Sequence, residues 1–216
     1  MVVGLAAIVV AVVAAWSFTG VEHTATGSRQ ETIAIDVDFS KFRQIMVRKN
    51  ATKAIVEHSG LRLLEDRIVG VELDTSADKR PLLNALRGQT QSELSATRQF
   101  VVELKHPELQ ADQLTLTQSA DIQPQAMLIR TASDDPAGNL ENYATSLQAS
   151  PSGAGTEVSL SVDLQVKVRV ARIFTSVADR RVQQAADQAV AEQAAAIQEF
   201  VSKYAQQLIV LPEFGQ

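Results

Sequence analysis

The sequence predicts an α+β fold, in which a curved antiparallel sheet wraps around a long C-terminal helix and a transmembrane helix precedes the domain. Three observations predict it. A strand that alternates strictly has one wholly aliphatic face, an alanine-rich stretch without glycine or proline follows it, and residues 1–18 carry no charged side chain. Together they indicate one folded domain beside one apolar segment.

The clearest strand lies in residues 157–170, which read EVSLSVDLQVKVRV. Successive side chains of a strand point to opposite faces, so alternate apolar residues predict one buried face. This face must be covered, because its exposure to water costs roughly 25 cal/mol per Å². It consists of Val158, Leu160, Val162, Leu164, Val166, Val168 and Val170.

The predicted cover is a long helix over residues 171–208, a stretch that is rich in alanine and lacks helix breakers. Its apolar side chains recur at helical spacing and keep to one side. The alanines in its middle either let the helix lie close to the sheet or leave space beneath it. The apolar side comprises Phe174, Val177, Ala185, Ala189, Ile197, Phe200, Val201, Tyr204 and Leu208.

Weaker patterns predict the elements before that strand. Residues 32–38 alternate as a half-buried strand does. Two short helices follow, one capped by Ser40 and one capped by Asn50 or Thr52 and ending at Gly60. Residues 61–73 are predicted to form two strands around a turn at 65–67. The remaining candidates are strands at 91–104, 113–120, 126–131 and 143–149, a helical turn or loop at 80–87, and a turn at 150–155.

The N-terminal residues 1–19 are predicted to form a transmembrane anchor or signal-anchor helix. The uncharged run reaches roughly 27 Å as a helix, close to the hydrocarbon thickness of about 30 Å, and Trp16 suits the interface at its end. No Lys or Arg precedes the run, which favours an uncleaved anchor over a secretory signal, and a buried core helix is the remaining alternative. Residues 20–31 are predicted to be a tether and residues 32–210 the domain. The prediction is a single-pass membrane protein whose domain is extracytoplasmic.

Composition excludes several classes of function. The formal net charge of -5 argues against nucleic acid as a partner, because phosphate binding needs clustered cations. The densest cationic stretch, residues 41–53, is interpreted as a solvated helix face. The absence of cysteine excludes disulfides and thiolate sites, and His23, His58 and His106 lack a metal-ligand spacing. Neither catalytic residues nor a metal or cofactor site is predicted.

The order of the predicted elements resembles that of the START-like superfamily, also called SRPBCC, helix-grip or polyketide cyclase-like. The segments that carry the resemblance are TIAIDVD, EVSLSVDLQVKVRV and IFTSVADRRVQQAADQAV, within residues 32–208. The resemblance implies that the sheet wraps the last helix with a hydrophobic cavity between them. It also implies binding of lipids, sterols, polyketides or hormones as the default function, with a minority of cyclases and dioxygenase subunits.

The predicted function is therefore that of a membrane-tethered domain that binds a hydrophobic or lipid-like ligand in a cavity between the sheet and the C-terminal helix. One alternative is a non-catalytic scaffold or interaction module, which a large exposed apolar patch outside the cavity would favour. The other is a cyclase-type enzyme, which needs polar residues that converge inside the cavity. The predicted cavity residues are Phe42, Ile45, Ile55, Val162, Leu164, Val166, Phe174, Val177 and Phe200.

Overall fold

The computed structural model describes residues 20–48, 51–58, 62–76, 79, 84, 92–104 and 110–207. The strands are β1 (Val21–Ile35), β2 (Leu63–Asp74), β3 (Glu93–Glu103), β4 (Gln113–Ile122), β5 (Met127–Ser133), β6 (Leu140–Ser152) and β7 (Gly155–Val170). The helices are α1 (Phe39–Arg48), α2 (Ala51–His58) and α3 (Thr175–Tyr204), with a 3₁₀ turn at Arg172–Phe174.

Within the described residues, the seven strands form one antiparallel sheet in the order β1-β7-β6-β5-β4-β3-β2. The predicted α+β class and the curved antiparallel sheet around a long C-terminal helix are confirmed. The predicted turn before β7 is a tight hairpin, where Gly153 adopts a positive φ of 59° that side chains disfavour.

The valine-rich face of β7 is buried beneath α3, as predicted. Every second residue from Val158 to Val170 is at most 5% exposed. The helix contacts both β7 and β1 and buries the alanines in its middle, among them Ala185, Ala186 and Ala189. Of the two predicted alternatives for these alanines, close approach to the sheet is the one observed.

The helix approaches the sheet closely at Gly27 of β1. A Cβ atom at this position would lie 2.4 Å from the carbonyl oxygen of Val182 in α3. The side-chain amide of Gln183 stabilises the same contact. Its Nε2 donates to the carbonyl oxygen of Ser28 at 2.6 Å, and its Oε1 accepts from the backbone N–H of Ser28. The backbone of β1 thus serves as the platform on which the helix rests.

The prediction that residues 20–31 form a tether is wrong for residues 21–31, which are the first part of β1. This strand pairs with β7 along its whole length, from Val21 opposite Val170 to Ile35 opposite Thr156. Within residues 21–31, its buried inner positions are the small residues Ala25 and Gly27. The passing helix leaves no room for large side chains there, so the strand lacks the apolar alternation that would have revealed it.

The prediction of two strands around a turn at residues 65–67 is also wrong, because β2 is a single strand. It lies at an edge of the described sheet and most of its side chains are exposed on both faces. Charged residues are therefore tolerated in the middle of this strand, where Asp66 forms an ion pair with Arg98 of β3. Shifts of register after Leu63 and Ile68 accommodate irregular pairing.

The two short helices lie where they were predicted, with corrections at α1. Asp38, rather than Ser40, caps α1, because its Oδ1 accepts a hydrogen bond from the amide of Lys41 at 3.1 Å. The interpretation of residues 41–53 as a solvated cationic face is wrong for Arg43, which is only 5% exposed. Its Nη1 donates to the carbonyl oxygen of Gln123 at 3.0 Å, and burial lowers its pKa.

Several predictions fall on residues that the structure does not describe. They concern the transmembrane helix at 1–19, Asn50 and Gly60 at the ends of α2, most of residues 80–87, and Leu208. Among the residues that are described, no helix has both the length and the apolar character needed to cross a bilayer.

Candidate functional site

A cavity of about 80 Å³ lies between the inner face of the sheet and the three helices. Strands β3 to β6 form its floor, α1 and α2 form one wall, and α3 contributes Gln193. The lining residues are Met46, Ala51, Thr52, Ile55, Val56, Phe100, Val102, Leu116, Gln118, Ile129, Thr131, Tyr143, Thr145, Leu147 and Gln193. None of them carries a charge, so this part of the chain offers an apolar chamber with a few neutral polar groups.

Two of the polar groups in the lining lack a hydrogen-bond partner. Among the described residues, Tyr143 Oη and Gln193 Oε1 are the buried side-chain atoms without one. Tyr143 is 1% exposed and Gln193 is 6% exposed. A buried polar atom without a partner lowers the stability of the fold by about 1–3 kcal/mol. A molecule that supplies the missing hydrogen bond would therefore bind favourably at either atom.

Burial also determines the form in which Tyr143 acts. Removal of the ring from water raises the pKa of its hydroxyl, because the phenolate would be left without solvation. The hydroxyl therefore stays protonated and can donate to a ligand oxygen, while Gln193 Oε1 can accept from a ligand hydroxyl or N–H group. The pair suits a neutral polar group rather than an anion.

A short network of neutral hydrogen bonds links the α2 wall of the cavity to its floor. Thr52 Oγ1 of α2 donates to Gln118 Oε1 at 2.9 Å, and Gln118 Nε2 donates to Thr131 Oγ1 at 3.1 Å. The network joins α2 to β4 and β5 and satisfies the Gln118 amide. Unlike the Gln193 amide, the Gln118 amide has hydrogen-bond partners for both its oxygen and its nitrogen. It therefore does not need a ligand to complete its hydrogen bonding.

The side at which the cavity approaches solvent can be recognised from exposure. Thr52 and Ile55 of α2, Gln118 of β4 and Ile129 of β5 are the half-buried members of the lining, whereas the others are buried. Tyr143 and Gln193 belong to the buried members. A ligand entering beside α2 would therefore reach these two polar groups with its inner end.

The structure brings one of the nine predicted cavity residues, Ile55, to this cavity. Five others are core residues outside its lining: Phe42, Ile45, Val162, Leu164 and Val166. Of these, Leu164 borders a separate depression beside Gly27 and Gln183. Phe200 is buried and packs edge-on against Tyr204. Val177 is half-buried, and Phe174 is 41% exposed on the 3₁₀ turn, which corrects its placement on the inner side of the helix.

The displacement of the cavity from its predicted place has a packing cause. The prediction put the space under the middle of α3 against β7, but the alanines there let the helix touch the sheet. Space remains further along the sheet, where β3 to β6 diverge from α3 and the short helices bridge the gap. Gln193 could have been identified from its position, because it lies between Ala189 and Ile197 on the apolar side of the helix. A polar residue on a buried face is unusual and therefore informative.

The chain is distantly similar to several solved structures. Neither a family model nor a curated protein matches the sequence. Among solved structures, a START superfamily protein from Mycobacterium smegmatis is 13% identical, with a TM-score of 0.47 over 82% of this chain and 97% of that one. An aromatase/cyclase from Streptomyces is 10% identical, with a TM-score of 0.47 over 84% and 96%. Norcoclaurine synthase from Thalictrum flavum, in complex with dopamine and hydroxybenzaldehyde, is 11% identical, with a TM-score of 0.46 over 85% and 91%.

The architecture itself matches the one that the sequence resemblance implies. A strand and two short helices lead into a run of antiparallel strands, and the sheet that these form packs on a long C-terminal helix with a cavity between sheet and helices. The described chain has the helix-grip architecture, in which an antiparallel sheet packs on a long C-terminal helix.

Proposed function

We propose that this protein binds a small neutral amphiphile, with the polar group of the ligand held by Tyr143 and Gln193 inside the cavity. The observation that carries the proposal is the presence of two buried polar atoms without partners in an uncharged, mostly apolar lining. A core selected for stability alone would avoid both costs. A ligand that donates one hydrogen bond and accepts another removes them.

The size of the cavity restricts the part of the ligand that is enclosed. A cavity of about 150 Å³ admits benzene, and pockets for drug-sized molecules measure about 300–1,000 Å³. At about 80 Å³, this cavity holds a group of a few heavy atoms. We infer that a hydroxyl, carbonyl or amide end of the ligand lies inside, and that a longer apolar remainder extends past α2.

The lining also argues against a charged ligand and against catalysis by ionised groups. An anion placed here would lose its hydration without a cation to replace it. The Tyr143 hydroxyl is a weaker acid than a free tyrosine, because burial raises its pKa. Binding, rather than acid–base chemistry, is the activity that the lining supports.

The proposed location is a membrane, with residues 1–19 as a single span and the domain on the extracytoplasmic side. The uncharged run of residues 1–18 supports the span. Since β1 begins at Val21, the domain would follow the span almost directly, and ligands could be taken from the adjacent bilayer. Retention of the full-length protein in membranes washed with alkaline carbonate tests the span, and complete release into the wash contradicts it.

The ligand proposal is tested by extracting the full-length protein, purified in mild detergent, and identifying bound organic molecules by mass spectrometry. We expect a stoichiometric neutral amphiphile with the wild-type protein and its loss with Gln193→Leu. The matched control is Gln188→Leu, which changes an exposed glutamine of the same helix that bonds only along the helix to Glu192. Equal recovery from both variants, or no ligand from any of them, would refute the proposal.

One observation favours a second function, that of an interaction module. The edge strand β2 exposes four large apolar side chains, Ile68, Val69, Val71 and Leu73, each at least 55% exposed. In the described sheet its only strand neighbour is β3, so its other edge can accept a strand from a partner. Cross-linking of the full-length protein in its native membrane tests this function: a product lost with the double change Val69→Lys, Val71→Lys supports it, and identical products exclude it.

A further inference from the structure

We propose that the 3₁₀ turn Arg172–Phe174 inserts into the lipid bilayer beside the point where the chain leaves its membrane span. The domain would then lie directly against the bilayer surface. The inserting surface, here called the membrane seat, consists of Val21, Ile173 and Phe174. This inference rests on the proposed span at residues 1–19. It adds an orientation of the domain and a lipid contact that the span alone does not require.

The first argument is position. Val21 opens β1 opposite Val170 at the end of β7, and Arg169 Nε donates to the carbonyl oxygen of Gly20 at 3.1 Å. The chain therefore emerges from residue 19 at the same corner of the sheet where β7 ends. Ile173 follows Val170 by three residues, which places their Cα atoms within about 11 Å of each other.

The second argument is exposure. Ile173 is 80% exposed, Val21 is 51% exposed and Phe174 is 41% exposed, although the strands and helix beside them bury their apolar residues efficiently. Phe174 and Ile173 sit on a turn between β7 and α3, where side chains point away from the core. Single exposed apolar residues are ordinary, but three at the corner that meets the proposed span form a surface for lipid.

The third argument is charge. Arg169, near the end of β7, and Arg172, on the turn, are both exposed, and guanidinium groups bind phosphate well. The nearby carboxylates are engaged: Glu22 pairs with Lys167 at 3.1 Å, and Asp179 Oδ1 lies 2.8 Å from His23 Nε2. The corner therefore presents apolar side chains flanked by cations, which is the pattern of an interfacial membrane contact.

The backbone makes this seat rigid. No described loop separates residue 20 from β1, and β1 is held along its length by β7 and by α3. The turn that carries Ile173 connects β7 directly with α3. A span that ends at residue 19 therefore brings the turn to the headgroup region without any rearrangement of the domain.

Site-specific fluorescence tests the seat, and the absence of cysteine makes each introduced thiol unique. The full-length variants Ile173→Cys and Ile68→Cys are each labelled with an environment-sensitive nitrobenzoxadiazole dye and placed in vesicles of phosphatidylcholine and phosphatidylglycerol. Ile68 is the matched control, since it is an isoleucine of similar exposure on β2, at the opposite edge of the sheet. Nitroxide-bearing acyl chains then serve as the quencher.

We expect the dye at position 173 to shift its emission to shorter wavelength and to be quenched several-fold more than the dye at position 68. Equal, weak quenching at both positions in protein that stays in the vesicles would overturn the seat while leaving the span intact. Loss of the protein from the vesicles on alkaline washing would overturn the span, and the seat with it. The two failures are therefore distinguishable in one preparation.

Discussion

Replacement of Tyr143 by phenylalanine removes one hydroxyl from the floor of the cavity and leaves the ring in place. In the ligand-free protein this hydroxyl is buried without a partner, at a cost of about 1–3 kcal/mol. We therefore expect Tyr143→Phe to raise the free energy of unfolding of the ligand-free protein by about 1–2 kcal/mol. For a chain of this size that corresponds to roughly 2–8 °C in Tm.

The opposite effect is expected on binding, because the ligand loses the hydrogen bond that Tyr143 donates. A neutral hydrogen bond is worth about 0.5–1.5 kcal/mol, so affinity should fall roughly 2-fold to 13-fold. A variant that is more stable and binds less well is the signature of a functional group kept at the expense of stability.

The assay is urea unfolding of the delipidated full-length protein, followed by circular dichroism, for the wild type and the variant side by side. Gln188→Leu, an exposed change on α3, is the control, and its effect should stay within about 0.5 kcal/mol. If Tyr143→Phe is instead destabilised by 0.5 kcal/mol or more, about the least that a made hydrogen bond contributes, the hydroxyl already has a partner and the argument from its unmet hydrogen bond is refuted.

Three further outcomes follow from the packing and the charges, all measured by chemical denaturation. Gly27→Ala should destabilise the protein by about 1–3 kcal/mol, because its Cβ would meet the backbone of α3, whereas Gly70→Ala, with nothing within 4 Å, should not; equal effects would contradict the close approach. Arg43→Ala should cost about 1.5–3 kcal/mol by removing the hydrogen bond that the buried guanidinium donates to the carbonyl of Gln123, and a neutral result would show that this bond does not stabilise the fold. Since burial raises the pKa of Tyr143, the wild type should lose stability as the pH rises above the ordinary value of 10.0, and Tyr143→Phe should lose less; parallel curves would contradict this shift.

The parts of the fold that could be predicted are those with strong, regular patterns. The seven alternating apolar residues from Val158 to Val170 and the uninterrupted helix after them indicate their own packing, because neither surface can remain in water. The same two elements carry the START-like resemblance. The prediction succeeded where local periodicity and burial agree.

The parts that could not be predicted depend on neighbours distant in the sequence. The inner face of β1 is small because α3 passes over Gly27, and no local pattern announces a helix that lies 155 residues later. β2 tolerates charges because it lies at an edge of the described sheet. The cavity arises where α3 diverges from the sheet, and Tyr143 and Gln193 become notable only once both are seen to lack partners.

The central claim, that Tyr143 and Gln193 hold the polar end of a neutral ligand, is tested most directly by nuclear magnetic resonance. The side-chain amide of Gln193 in the delipidated protein is observed while 1-butanol is added, with butyrate as the charged counterpart of the same chain length. We predict a saturable shift of this amide with butanol, weakened in Tyr143→Phe and absent with butyrate. A Gln193 amide that does not respond to butanol, or responds equally to both compounds, would contradict the account.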